Sequence, residues 1–168
     1  MEIKTERDLE TLVRRYQEPL LRYCTGITGN REDAEDVVQT AFIKAWMKRD
    51  SQRKSGSLKS WLFRIAYTTS VDFLRARRRT NELPDSLAEQ AAKGRDPGIS
   101  DEMRAALASL SVLDRAIIEE RILMEMSYEE MAEIHHLPAA ALRKRYSRAR
   151  QKLKALLCEA GIGKEDLI

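Results

Sequence analysis

Cysteine is scarce in this chain, and the two that occur, Cys24 and Cys158, stand far apart with no CxxC or Cys/His companion. That excludes a disulfide framework and a zinc site, and leaves each as a small apolar core or boundary residue. Long apolar runs are also missing. No stretch approaches membrane-spanning length, and the N-terminal MEIKTERDLE is charged throughout, without the apolar core of a signal peptide. The expectation is a cytoplasmic protein with no membrane insertion. Alternating strand-like runs and hairpin dipeptides are absent, as are internal repeats, a P-loop, a nucleophile elbow and a glycine-rich cofactor turn, so no cofactor is implied. A large excess of one charge is lacking too. Thirty basic against 27 acidic residues leave a net charge of +3, too little to imply a sequence-blind clamp on nucleic acid.

What is present is helical periodicity, and it predicts an all-α fold. Leu9, Leu12, Val13 and Tyr16 make a first apolar face, which Pro19 should kink or restart before Leu20, Tyr23, Cys24 and Ile27. Thr28, Gly29 and Asn30 close it. A second helix carries Ala34, Val37, Val38, Ala41, Phe42, Ala45 and Trp46 at regular three- and four-residue steps. Residues 50–57, DSQRKSGS, read as a polar loop whose Ser57 caps a third helix running to about Arg79. Residues 81–100 hold Pro84, Gly94, Pro97 and Gly98 and lose amphipathic register. They read as a largely mobile linker, with a short helix possible at 87–92. The division is therefore residues 1–80, a linker at 81–100, and residues 101–168.

The second unit is polar in its charge. Residues 101–135 carry nine acids and three bases, whereas 143–154 carry seven bases and no acid. Residues 127–156, SYEEMAEIHHLPAAALRKRYSRARQKLKAL, have the grammar of a helix-turn-helix. Ser127 and Glu130 stand at capping-box spacing, Ala132 is small enough for a close helix crossing, and Pro138 suits the start of the next helix. His136 falls where a left-handed residue is needed, a region histidine tolerates better than most. On the second helix Leu142, Tyr146, Ala149 and Leu153 form an apolar stripe. Ala140, Lys144, Ser147, Arg148 and Gln151 lie opposite. Small groups and cations directed away from the core fit insertion into a DNA major groove, with flanking arginines on phosphates.

Two other faces stand out. On the second helix, Asp36, Gln39, Thr40 and Ile43 share the side away from the core, a pattern that suits protein docking as well as ordinary solvation. Acidic Glu32, Asp33, Glu35 and Asp36 also suit the positive end of a helix dipole. On the third helix Arg64, Thr68, Asp72, Arg75 and Arg79 form a polar track beside Trp61, Phe63, Tyr67 and Phe73. Cations next to aromatics suit unpaired bases. Trp61 and Phe73 read as core, and Tyr67 is open. Glu133 and His136 make one E-x-x-H, half of a di-metal carboxylate pattern whose other half is missing, so no metal site is expected.

In this order the features resemble the extracytoplasmic-function (ECF) sigma factors, the compact two-domain class of the sigma-70 family, over about residues 8–156. DAEDVVQTAFIKAW at 33–46 resembles the helix that grips the clamp helices of the largest RNA polymerase subunit. SWLFRIAYTTSVDFLRARRR at 60–79 resembles the segment that opens and reads the minus-ten element. Residues 113–154 resemble the domain that reads the minus-thirty-five element. Thr40, Thr68, His136 and the pair Ala140 and Ala141 depart from the residues usual at those places. The resemblance implies polymerase binding by Asp36, Gln39, Thr40 and Ile43. It implies minus-ten contacts by Arg64, Thr68, Asp72, Arg75, Arg77, Arg78 and Arg79, and minus-thirty-five contacts by Ala140, Ala141, Arg143, Lys144, Arg145, Ser147 and Arg148. Bacterial RNA polymerase core, promoter DNA and an anti-sigma factor are the implied partners, and the role is assembly without covalent catalysis. A helix-turn-helix regulator that works without polymerase is the alternative, and an enzyme is the third reading.

Overall fold

The computed structural model describes residues 1–54, 56–80 and 100–161. Every regular element among them is helical: α1 (Glu6–Thr28), α2 (Arg31–Met47), a 3-10 turn (Arg49–Lys54), α3 (Leu58–Arg79), α4 (Asp101–Ala108), α5 (Val112–Ile122), α6 (Tyr128–His135) and α7 (Ala139–Glu159). The fold is all-α, with two small helical domains, and the second contains a helix-turn-helix. The expected linker up to residue 99, with its short helix at 87–92, lies outside the described residues.

Caps explain most boundaries. Thr5 and Asp8 form a capping box at the start of α1, and Asn30 accepts from the amides of Glu32 and Asp33 to start α2. Ser57 caps α3 as expected. Gly29 ends α1 in the left-handed region at φ 80°, where the lack of a Cβ removes the steric cost. The restart that Pro19 could have imposed does not occur. α1 runs through it, because Leu12, Tyr16, Leu20, Tyr23, Cys24 and Ile27 bury one continuous face. Each such side chain gains about 1.5–3 kcal/mol, which outweighs the roughly 3 kcal/mol cost of a helical proline. The expected polar loop at 50–57 also contains a 3-10 turn. The Arg49 guanidinium lies 4.1 Å from the Trp46 ring centroid and donates to the Trp46 carbonyl at 2.8 Å, which folds the chain tightly after α2.

Helices α1, α2 and α3 pack on one another, and α7 packs on α4, α5 and α6. The two groups meet along a seam where α5 lies on α1 and α6 lies on α3. Buried Ile117, Met126, Met131 and Ile134 continue the apolar core of the first group, while Leu107, Leu110, Ile118, Ala149, Leu153 and Leu157 form a separate core. Cys24 is fully buried, which pushes its thiol up to about 12, whereas Cys158 is exposed.

Candidate nucleic-acid and protein interfaces

The helix-turn-helix is built as its sequence pattern requires. The Ser127 hydroxyl accepts from the Glu130 amide at 3.1 Å, and the Glu130 carboxylate accepts from the Ser127 amide at 2.8 Å. His136 sits in the left-handed region at φ 53° and ψ 40°, and its amide closes on the Ala132 carbonyl at 2.9 Å. That turn aims α7 away from α6. Leu142, Ala149 and Leu153 are buried and Tyr146 is half-buried, while Ala140, Ala141, Arg143, Lys144, Ser147, Arg148 and Gln151 are exposed. The Arg143 guanidinium lies 5.0 Å from the Tyr128 ring centroid, a cation-π contact that holds it at the edge of this exposed side. Arg145 behaves differently, since its Nε donates to Asp114 at 2.7 Å. The exposed side of α7 thus carries Arg143, Lys144 and Arg148 among small and neutral groups, with no acid among them.

On α3, Thr68, Asp72, Arg75, Arg78 and Arg79 are exposed and Arg64 is half-buried. Arg77 is turned inward. It grips Asp33 of α2 through Nη1 to Oδ2 at 2.5 Å and Nη2 to Oδ1 at 2.8 Å, with its guanidinium over the Phe73 ring. Trp61 and Phe63 are core, Phe73 is half-buried, and Tyr67 meets the His135 ring edge-on at 4.6 Å. The basic track is therefore made of the residues that leave Arg77 and the aromatics behind.

Asp36, Gln39 and Ile43 line a groove of about 780 Å³ between α1 and α2, and Ile43 remains 56% exposed. Thr40 is exposed beside them. The groove floor adds residues that sequence reasoning missed as partners: Leu9, Val13 and Leu21 from α1, and Phe42 and Trp46 from α2. Leu9 and Val13 belong to the first apolar face that the sequence predicts. They are only half-buried, because α2 covers one side of α1 and leaves their outer edges as a wall of the groove. A mixed rim of Arg31, Glu35 and Asp36 over an apolar floor is the chemistry of a protein-docking site.

Among the described residues no group of three or more metal-ligating side chains occurs. The E-x-x-H pair is engaged across the seam instead. Glu133 accepts from the Ser57 amide at 3.3 Å, and the His136 Nε2 lies 3.3 Å from Arg64 Nη1, which can only donate. No described helix is long and apolar enough to cross a membrane.

Comparison with known proteins agrees with this geometry. Residues 12–80 match Sigma-70 region 2, and residues 100–153 match Sigma-70 region 4. The chain is 33% identical over 160 residues to the ECF RNA polymerase sigma-E factor of Haemophilus influenzae, covering 85% of this chain and 84% of that one. It is 28% identical over 164 residues to RNA polymerase sigma factor SigV of Bacillus subtilis, covering 97% and 96%. Among solved structures, the sigma factor RpoE in complex with the anti-sigma factor NepR from Bartonella quintana superposes with a TM-score of 0.73 at 26% identity, over 90% of this chain and 97% of that one. CnrH in complex with the cytosolic domain of CnrY gives a TM-score of 0.70 at 29% identity, over 92% and 90%. With both sigma regions present in order, and relatives a third identical along most of their length, this chain belongs to the ECF RNA polymerase sigma factors of the sigma-70 family.

Proposed function

We propose that this sigma factor works by assembly in the cytoplasm, without catalysing a covalent step. The groove bearing Asp36, Gln39 and Ile43, with Thr40 beside it, docks residues 1–80 on core RNA polymerase. Residues 101–168 set α7 in the major groove of the upstream promoter element, with Lys144, Ser147, Arg148 and the small Ala140 and Ala141 over base edges and Arg143 and Arg145 near phosphates. Arg145 exchanges Asp114 for phosphate when it does so. The track of Arg64, Thr68, Asp72, Arg75, Arg78 and Arg79 holds the melted strand at the downstream element, and Arg77 fixes the track through Asp33. Residues 81–100 join the two modules. An anti-sigma factor restrains the protein until it is needed, a reading supported by the two sigma and anti-sigma complexes that the chain resembles.

One observation carries the reading: an apolar residue, Ile43, exposed among Asp36 and Gln39 at an apolar groove far along the chain from the DNA-reading helix. A helix-turn-helix regulator that acts alone has no use for such a face. The test is equilibrium binding of the labelled chain to core polymerase, with submicromolar affinity expected. Absence of binding to core together with tight, sequence-specific binding to duplex DNA by the chain alone, at stated salt, would favour the regulator instead.

A further inference from the structure

Two arginine-aspartate pairs tie helices together in this chain, and they differ in kind. Arg77 holds Asp33 through two parallel bonds, with the two side chains 27% and 9% exposed. Arg145 of α7 holds Asp114 of α5 through one bond, from Nε to Oδ1 at 2.7 Å, with exposures of 39% and 23%. Breaking the first pair costs two bonds and strands a nearly buried carboxylate. Breaking the second costs one bond, and water already reaches both partners. Among the described residues, Arg145 is also the one cation of α7 bonded to a carboxylate.

Helix geometry explains how the pair arises. Around the axis of α7, Arg145 stands about 60° from Leu142 and about 100° from Lys144, so it lies on the flank between the core and the exposed side. Asp114 meets it there from the first turn of α5, where the Ser111 hydroxyl accepts from the Asp114 amide at 3.2 Å. A carboxylate in the first turn of a helix is favoured by the positive end of the helix dipole, with or without a cationic partner. Asp114 therefore releases Arg145 and stays ionised at small cost, as Asp33 cannot release Arg77.

We propose that Asp114 is a stand-in for DNA phosphate, which occupies Arg145 in the free chain and must be displaced before α7 can use that cation on the phosphodiester backbone. This rests on the DNA-reading role proposed above for α7. A carboxylate and a backbone phosphate both offer anionic oxygens to a guanidinium, so the two compete for the same arginine. The competition costs the same whatever the base sequence, because phosphates carry no sequence information. Asp114 thus weakens binding to every duplex alike and leaves untouched the base preference set by Lys144, Ser147 and Arg148. Bulk DNA offers far more non-specific sites than promoters, and a chain held back from it stays available to polymerase.

The test is a double-mutant cycle on the full-length chain, with Asp114→Asn, Arg145→Ala and the two together. Fluorescence anisotropy reads binding to a short random-sequence duplex at low salt, where phosphate contacts are strongest. Asp114→Asn should bind about fivefold tighter than wild type, the factor that corresponds to an exchangeable ion pair of about 1 kcal/mol. In the Arg145→Ala background the same substitution should change affinity by less than about twofold, because no arginine remains there to release. Circular dichroism verifies that the chains are folded, and Asp114→Ser, which also removes the charge and keeps a polar group in the first turn of α5, replaces the asparagine variant if that one is not. A gain that persists without Arg145 is a bulk charge effect and overturns the competition. Binding by Asp114→Asn that equals wild type overturns it too, and binding weaker than wild type does so by showing that Asp114 orients Arg145 for phosphate. No binding by any of the four chains refutes the DNA-reading role of α7 itself, and the competition falls with it.

Discussion

The Arg77 guanidinium holds the Asp33 carboxylate through two parallel bonds, tying the C-terminal turn of α3 to the N-terminal turn of α2. Asp33 is 7% exposed, so the pair lies at the edge of the core and its carboxylate has little access to water. The basic run RARRR thus contains one structural clamp among residues that face solvent.

Arg77→Ala should therefore destabilise the chain by about 2–3 kcal/mol, because it strands a desolvated carboxylate. Arg77→Lys should recover only part of this, since an ammonium cannot reproduce the fork. Chemical denaturation compares them with Arg78→Ala, an exposed neighbour expected to change stability by less than about 0.5 kcal/mol.

Replacing Asp36, Gln39 and Ile43 together with alanine should leave helicity and melting nearly unchanged, because all three are exposed on α2. Affinity for core polymerase should fall at least about tenfold, as expected for a contact with an apolar anchor at its centre. Circular dichroism and a binding titration on the same samples check this. Parallel losses of fold and binding would mean that the face supports structure.

Much of this was legible in the sequence. The capping box at Ser127 and Glu130, the left-handed histidine at position 136 and the outward cations of α7 follow from spacing within one or two turns, where local physics decides. The run of α1 through Pro19 was not legible, because a local penalty was overruled by a face that only tertiary packing completes. Nor were the partners of Asp33, Glu120 and Tyr23. Residues 33 and 77, or 23 and 120, meet only after helices pack, and a single sequence shows no trace of such pairing. That Leu9 and Val13 also wall a groove was not legible for the same reason.

The DNA-reading helix and the strand-reading track should separate by role. Lys144→Ala and Arg148→Ala should each cost about 1–3 kcal/mol of upstream-element recognition and change its base preference. Arg75→Ala and Arg79→Ala should slow opening, a defect that a pre-melted promoter template relieves. A permanganate footprint on duplex and pre-melted templates measures both, and equal rescue of the two pairs contradicts the division.

Alkaline pH should weaken the fold through Tyr23. Its pKa in the folded chain is raised, first by burial and then by the nearby Glu120 charge. Below the unfolded value of about 10 both states keep the phenol proton and Tyr23 adds no pH dependence. Above it the unfolded chain releases the proton and the folded chain does not, so this contribution to stability falls as pH rises, at about 1.4 kcal/mol per unit. Urea midpoints measured between about pH 9 and about pH 11 should decline less steeply for Tyr23→Phe than for wild type.

The central claim, promoter-specific initiation by docking on polymerase, is tested most directly by run-off transcription with purified core enzyme on a library of promoter fragments, with and without this chain. Transcripts from a discrete promoter class that appear only when the chain is present, and vanish with the Asp36, Gln39 and Ile43 triple substitution, are the predicted result. No chain-dependent transcript, although the protein is folded and the core enzyme is active with another sigma factor, would contradict it.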